Sequence, residues 1–245
     1  MTDLISELEG SFVKSTAKFD DGDNFMIDGT SPRKRRSPIT TITTRLYERF
    51  GKRVLDLFLL LIALPVVLPV VLIIGLLVRS DGHTALFHQD RVGKGGTLFR
   101  VWKFRTMVPD AETELSKYLA ENPQAAEEWH KYQKLRDDPR ITPLGRFLRA
   151  SSLDELPQLW NVAVGDMSLV GPRPMLPSQV SLYPGSHYSL MRPGITGTWQ
   201  VSDRNDSSFA VRGRFDTEYW ADLSLKADLI VLWKTIFAVL SCSGR

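Results

Sequence analysis

An α+β fold, mostly helical and set into one face of a membrane, is what three features of the sequence predict. A run of 22 residues without charge, Leu57 to Val78, is apolar on every side and holds two prolines near its middle. Short β-like stretches then flank a glycine-rich turn. The remainder reads as helices of mixed polarity joined by loops rich in Gly and Pro. Averages over the whole chain conceal this pattern. Its 245 residues are 43% hydrophobic and 24% charged, and 31 Lys and Arg against 28 Asp and Glu leave a net charge of +3. That balance excludes a globally disordered or collagen-like chain. The single cysteine, Cys242, excludes a disulfide scaffold and a Cys-rich zinc site.

Residues 1–47 are expected to form a disordered, charge-segregated tail. Seven carboxylates face two lysines in residues 1–30, and eight basic residues face one glutamate in residues 31–53. The stretch Ser31-Pro-Arg-Lys-Arg-Arg-Ser-Pro38 suits anionic lipid head groups, or equally a solvated charge run. No aromatic residues interleave it, so no nucleic acid is expected among the partners.

The apolar run is assigned to residues 48–80 as a re-entrant helix-break-helix hairpin. As one straight helix it would reach about 33 Å, enough to cross a bilayer core. Pro65 and Pro69 each remove an amide donor, so a kink or break is expected around them, leaving halves of roughly 12 Å. Cationic residues flank both ends, Arg49, Lys52 and Arg53 before and Arg79, Arg91 and Lys94 after. The preference of basic flanks for the cytoplasm then places both ends on one side. A kinked single span and a buried core helix are the other two readings of the same run. Its distance from the N-terminus speaks against a signal peptide.

Residues 81–245 are expected to form a cytoplasmic domain. Ala85–Phe87 and Thr97–Phe104 bracket Gly93-Lys94-Gly95-Gly96 as a hairpin. Polar helices fill residues 109–136, with Pro109 at a start and Pro123 as a break. Helical spacing of apolar residues runs through 140–164, and residues 165–205 read as ordered loops. Leu223–Ser241 is apolar but interrupted by Lys226, Asp228 and Lys234, which suits an amphipathic helix lying in the interface with Trp233 at head-group depth.

No P-loop, GxGxxG, GxSxG or HExxH pattern occurs, and His83, His88, His130 and His187 are not spaced as metal ligands. What stands out is Arg149-Ala-Ser-Ser-Leu-Asp-Glu-Leu-Pro157, whose Asp154 and Glu155 should fall in the first turn of a helix. The positive end of that helix would keep both ionised and attract a phosphate. An ionised carboxylate is a competent nucleophile toward phosphorus, with Mg²⁺ and basic side chains relieving the charge. Equally, Ser152 and Glu155 have the spacing of a capping box that needs no chemistry. Lys103, Arg105, Arg173 and Arg192 sit at strand ends or in rigid turns, where they serve either surface contacts or bidentate phosphate recognition.

Taken in order, five motifs give the chain a resemblance to a known family. They are Lys103-Phe-Arg-Thr-Met107, Asp138-Pro-Arg-Ile-Thr-Pro-Leu-Gly145, Ser152-Leu-Asp-Glu-Leu-Pro-Gln-Leu-Trp-Asn161, Gly165-Asp-Met-Ser-Leu-Val-Gly-Pro-Arg-Pro174 and Arg192-Pro-Gly-Ile-Thr-Gly197. Over residues 48–242 the sequence resembles the bacterial sugar transferases, monotopic polyprenyl-phosphate phosphoglycosyl transferases of the type that initiates exopolysaccharide.

The resemblance implies transfer of a sugar-1-phosphate, of galactose or glucose, from a UDP-sugar to undecaprenyl phosphate at the cytoplasmic face of the bacterial inner membrane. Asp154 would be the nucleophile that forms a phosphosugar-enzyme intermediate and releases UMP, and Asp154 and Glu155 would hold Mg²⁺. Lys103, Arg105, Arg149, Arg173, Arg192 and Arg204 would bind phosphate groups. Asp203 stands where relatives often carry Gly. Membrane lipids, a second copy of the chain and other polysaccharide-assembly enzymes are the further partners implied. Two other functions remain open at this level: a membrane-bound phosphatase or pyrophosphatase using the same two carboxylates, and a membrane-tethered scaffold without activity.

Overall fold

The computed structural model describes residues 46–132, 135–202 and 209–240; Arg204 and residues 1–45 of the expected tail lie outside them. The apolar run forms one continuous helix, α1 (Lys52–Arg79), entered through a wide turn at Tyr47–Gly51. Both prolines lie inside it, so the expected break into two helices does not occur. The reason is their spacing. Residues four apart share one face, so the two missing amide bonds fall on a single stripe and the rest of the ladder continues. Among the described residues, Tyr47–Arg79 is the one segment long and apolar enough to cross a membrane.

The β-hairpin pairs β1 (Leu86–Val92) with β2 (Leu98–Phe104), Leu86 opposite Phe104 and Val92 opposite Leu98. Its first strand runs further than the sequence pattern suggests, because cross-strand pairing holds the polar residues His88 to Arg91 extended. Two polar helices follow, α2 (Ala111–Glu121) and α3 (Pro123–Tyr132). The Arg140 guanidinium lies 5.0 Å from the Trp129 ring centre and makes a two-point bond to Asp138 at 2.8 and 2.7 Å, fastening α3 to the next loop.

Helical spacing over residues 140–164 resolves into two helices, α4 (Pro143–Ala150) and α5 (Gln158–Val164). Between them Ser152 takes a left-handed conformation (φ 58°) and residues 153–155 form a 3₁₀ turn. Thr142 caps α4 by accepting from the Gly145 amide at 2.9 Å. Gly165 closes α5 at φ 97°, a conformation that glycine adopts without a Cβ penalty.

Beyond it the chain is not all loop. β3 (Ser168–Val170) and β4 (Gly194–Thr196) pair in parallel, an element that two three-residue strands do not announce in sequence. A Cβ on Gly194 would stand 2.1 Å from the Gly171 nitrogen, so only glycine permits this approach. A helix not anticipated from the sequence, α6 (Phe209–Ala221), precedes α7 (Leu225–Leu240).

Both ends of α1 dock on the same folded body. At its start, Lys52 bonds Asp228 of α7 at 2.7 Å, Arg53 donates to the carbonyls of Val162 and Ala163, and Asp56 accepts from the Ser168 hydroxyl and the Leu169 amide. Toward its end, Ile74 and Val78 pack with Phe104 and Leu148. Between these anchors Leu61, Val66 and Leu72 are exposed. Helix α7 likewise exposes Leu225, Leu229, Ile230, Trp233 and Phe237 while burying Val231. Asp228 does not interrupt that apolar surface as expected, because it turns inward and is fully buried.

Candidate active site

The turn between α4 and α5 carries the two adjacent carboxylates. They fall in the 3₁₀ turn Leu153–Glu155 ahead of α5, not in the first turn of a long helix. Ser152 makes no side-chain capping bond, so the capping-box explanation fails. Glu155 reaches instead to Lys103 of β2, whose ammonium sits 2.7 Å from its Oε1 and 3.8 Å from Asp154 Oδ2. Arg173 approaches Glu155 to 3.8 Å. The placement depends on Asn161, which accepts from the Trp102 amide and donates to the Arg100 carbonyl, tying α5 to the strand that presents Lys103.

A small cleft opens beside this turn, lined by Arg91, Lys103, Glu155, Gln158, Arg173 and Ile195 among others. Asp154 adjoins it through Lys103 and is itself buried, with its side chain 12% exposed. Burial pushes its carboxyl above the usual carboxylate range. The Lys103 and Arg149 charges pull it back, and the Glu155 charge adds to the rise. The net direction is upward, and Lys103 and Arg149 are the charges that favour its ionised form.

Of the other basic residues expected at phosphates, Arg149 stands near Asp154 and donates to the Thr106 hydroxyl at 2.8 Å. Arg105 is placed differently. Its guanidinium bonds Asp81 at 2.7 Å and the carbonyls of Val78, Thr84 and Met107, which staples the end of α1 to the hairpin. Arg192 is exposed and donates to the Gly165 carbonyl at 2.8 Å, and it is absent from the cleft lining. The structure thus brings Lys103, Arg149, Asp154, Glu155 and Arg173 together, and engages Arg105 with Asp81 and three carbonyls and Arg192 with one carbonyl.

Two cleft residues were missed in the sequence. Gln158 is the first residue of α5 and is buried, and its type carries no signal of its own. Arg91 was legible only as one of the basic flanks of the apolar run. Its place in the cleft is decided by the β1 pairing.

Asp154 and Glu155 suit a Mg²⁺ ion shared with a substrate, since that ion commonly takes one or two carboxylates and completes its shell with water and phosphate oxygens. They do not make a protein-only cage: among the described residues no group of three or more His, Cys, Asp or Glu could hold a metal.

A buried carboxylate held beside an ammonium and guanidiniums, on a body that carries a solvent-facing apolar helix, suits an enzyme at a membrane surface. The chain belongs to the bacterial sugar transferase family, whose model matches residues 47–242. It is 44% identical over 198 residues to the exopolysaccharide production protein ExoY of Sinorhizobium fredii, covering 80% of this chain and 87% of that protein. A UDP-galactose-lipid carrier transferase of Erwinia amylovora is 44% identical over 80% of this chain. An undecaprenyl-phosphate galactose phosphotransferase of Salmonella typhimurium is 43% identical over the same share. The chain spans less than half the length of these last two relatives, 42% of each.

Proposed function

We propose that the protein transfers a hexose 1-phosphate, of galactose or glucose, from its UDP-sugar to undecaprenyl phosphate at the cytoplasmic face of the bacterial inner membrane, starting an exopolysaccharide repeat unit. One observation carries the reading: Asp154 lies buried next to Lys103 and Arg149 at the edge of a cleft lined with further arginines. Such surroundings bind a diphosphate and keep a carboxylate ionised for attack. In the first step an Asp154 oxygen bonds the sugar-bearing phosphorus as that phosphorus loses its bond to UMP. In the second an oxygen of the lipid phosphate bonds the same phosphorus and the Asp154 carboxylate is restored. Lys103 and Arg149 stabilise that carboxylate between turnovers, and Glu155 orients Lys103 through their 2.7 Å pair. Asp154 and Glu155 would hold a Mg²⁺ ion, which would neutralise the diphosphate charge.

The contacts at the two ends of α1 support a matching membrane arrangement. Asp56 and Ile74 are about 27 Å apart along a straight helix, yet both pack on one folded body with an exposed apolar stretch between them. Two ends held by one body favour a shallow placement with both ends on one side of the bilayer, for which Pro65 and Pro69 are the points where the helix would have to bend. The apolar face of α7 rests in the interface beside it.

A screen of UDP-sugars with undecaprenyl phosphate, scored by UMP release and by lipid-linked sugar, tests the function. The expected result is matched formation of both products and their loss in Asp154→Asn with the melting temperature retained. UMP release without lipid-linked sugar would instead establish a hydrolase, and near-normal transfer by Asp154→Asn would remove Asp154 as nucleophile.

A further inference from the structure

Gln158 stands four residues after Asp154 on one helical path. The 3₁₀ turn Leu153–Glu155 is followed by Leu156 and Pro157 in right-handed helical conformation, and then by α5. Residues so spaced are neighbours on a helical surface, so the Gln158 side chain is set beside the proposed nucleophile. It is 3% exposed and lines the cleft together with Lys103 and Glu155. Yet it makes no side-chain hydrogen bond among the described residues. An amide carries an acceptor oxygen and two donor hydrogens, and leaving such a group unpaired in the interior is destabilising. Folded chains make few such exceptions, and those they make gather at functional sites.

The groups around it are engaged with one another. Glu155 is held by Lys103 at 2.7 Å, the Pro174 carbonyl accepts from Arg91 at 3.2 Å, and the Ile195 carbonyl accepts from Gln200 Nε2 at 2.9 Å. The lining itself is of two kinds. Arg91, Lys103, Glu155 and Arg173 are charged, whereas the remainder, Val101 and Ile195 among it, is not. A diphosphate belongs with the charged part. An amide that both gives and accepts matches instead a hydroxyl, which also does both. A phosphate would use only its N–H and would leave its oxygen facing negative oxygens.

The direction of the first step says whose hydroxyl. An in-line displacement puts the attacking and leaving oxygens on opposite sides of the phosphorus. UMP, with its ribose hydroxyls, therefore departs on the side away from Asp154, while the sugar stays bonded to the phosphorus beside the Asp154 turn. We infer that Gln158 hydrogen-bonds a hydroxyl of the sugar being transferred and is a specificity-determining residue of the reaction. The inference rests on the sugar-phosphate transfer proposed above and goes beyond it by naming a group that reads the sugar. A site that pairs a substrate hydroxyl rejects the analogue lacking it, because its own polar group is then left buried and unpaired.

Steady-state transfer by the full chain in lipid nanodiscs tests it, with undecaprenyl phosphate as acceptor and UDP-galactose, UDP-glucose and their monodeoxy analogues as donors. On the better of the two donors, loss of one particular sugar hydroxyl should lower kcat/KM by about 10- to 100-fold. Gln158→Met, which keeps the length of the side chain and removes its polar atoms, should lose a similar factor on the intact donor and under twofold more on that deoxy donor. Inhibition by UMP, which carries no sugar, should change by less than twofold. The melting temperature should hold or rise, since the substitution removes no hydrogen bond of the free protein. Gln158→Leu carries the same comparison if Gln158→Met does not fold. An equal loss in UMP inhibition, a melting temperature several degrees lower in both variants, or a deoxy penalty that persists in full overturns the assignment. So does an unaltered protein in which no deoxy donor loses more than twofold. Absence of turnover with every UDP-sugar overturns the transfer reading itself, a result distinct from turnover that ignores the sugar hydroxyls.

Discussion

Asp228→Asn should destabilise the protein by about 3 kcal/mol, because Asp228 holds the base of the membrane helix. Its carboxylate accepts from Lys52 at 2.7 Å and from the Tyr47 and Tyr219 hydroxyls at 2.5 Å each, with 1% of its side chain exposed against 12% for Lys52. Removing one partner of a buried ion pair costs about 3–5 kcal/mol, since the other charge stays buried without compensation. Asparagine keeps the volume and one acceptor for a hydroxyl, which places the cost at the lower end of that range. For a domain of this size about 3 kcal/mol corresponds to a fall of roughly 6–12 °C in melting temperature. Thermal unfolding in detergent micelles reads it directly. Adding Lys52→Met removes the stranded ammonium and should restore about half of the loss. A shift under 2 °C for Asp228→Asn, or no recovery in the double variant, would refute the claim that this pair holds α1 to α7.

Three further outcomes follow from the geometry. Burial raises Asp216 from 3.8 to about 6 in the folded protein, with the Tyr183 bond and Arg212 opposing the rise. The folded state then binds the extra proton between those values, so stability should fall as pH rises from about 4 through 6, by up to about 3 kcal/mol, and urea midpoints for Asp216→Asn should lack that slope. Arg105→Ala should lower the melting temperature by several degrees and leave the KM for the sugar donor within about twofold, since its guanidinium is engaged with Asp81 and three carbonyls; a large rise in KM at unchanged stability would return it to the phosphates. With Cys242 replaced by Ser, single cysteines at Arg49 and His83 should react with an impermeant thiol reagent from the same side of sealed vesicles, whereas labelling from opposite sides would establish a span.

The motifs that carry chemistry were legible where residue type and local order suffice. Asp154 and Glu155 stand out as adjacent carboxylates in a turn, and Lys103 as a cation at a strand end. Arg105 and Arg192 have the same local appearance, yet the folded chain ties them to backbone carbonyls. An arginine in a turn does not reveal which acceptors will surround it, because those come from segments distant in sequence. The same limit hid Arg91 and Gln158. It also hid β3 and β4, whose parallel pairing joins strands 24 residues apart, from Val170 to Gly194.

By itself the sequence determined the membrane-seeking run, the β-hairpin, the helical stretches before residue 165 and the carboxylate turn, since each depends on periodicity, on punctuation by Gly and Pro, or on neighbouring residue types. The tertiary structure alone decided that α1 stays helical through Pro65 and Pro69, that both of its ends rest on one body, and that Asp154 is raised by burial instead of lowered by a helix end. It also chose which arginines meet at the cleft. These are matters of long-range packing and desolvation. They arise between segments the chain brings together only on folding, so no local pattern records them.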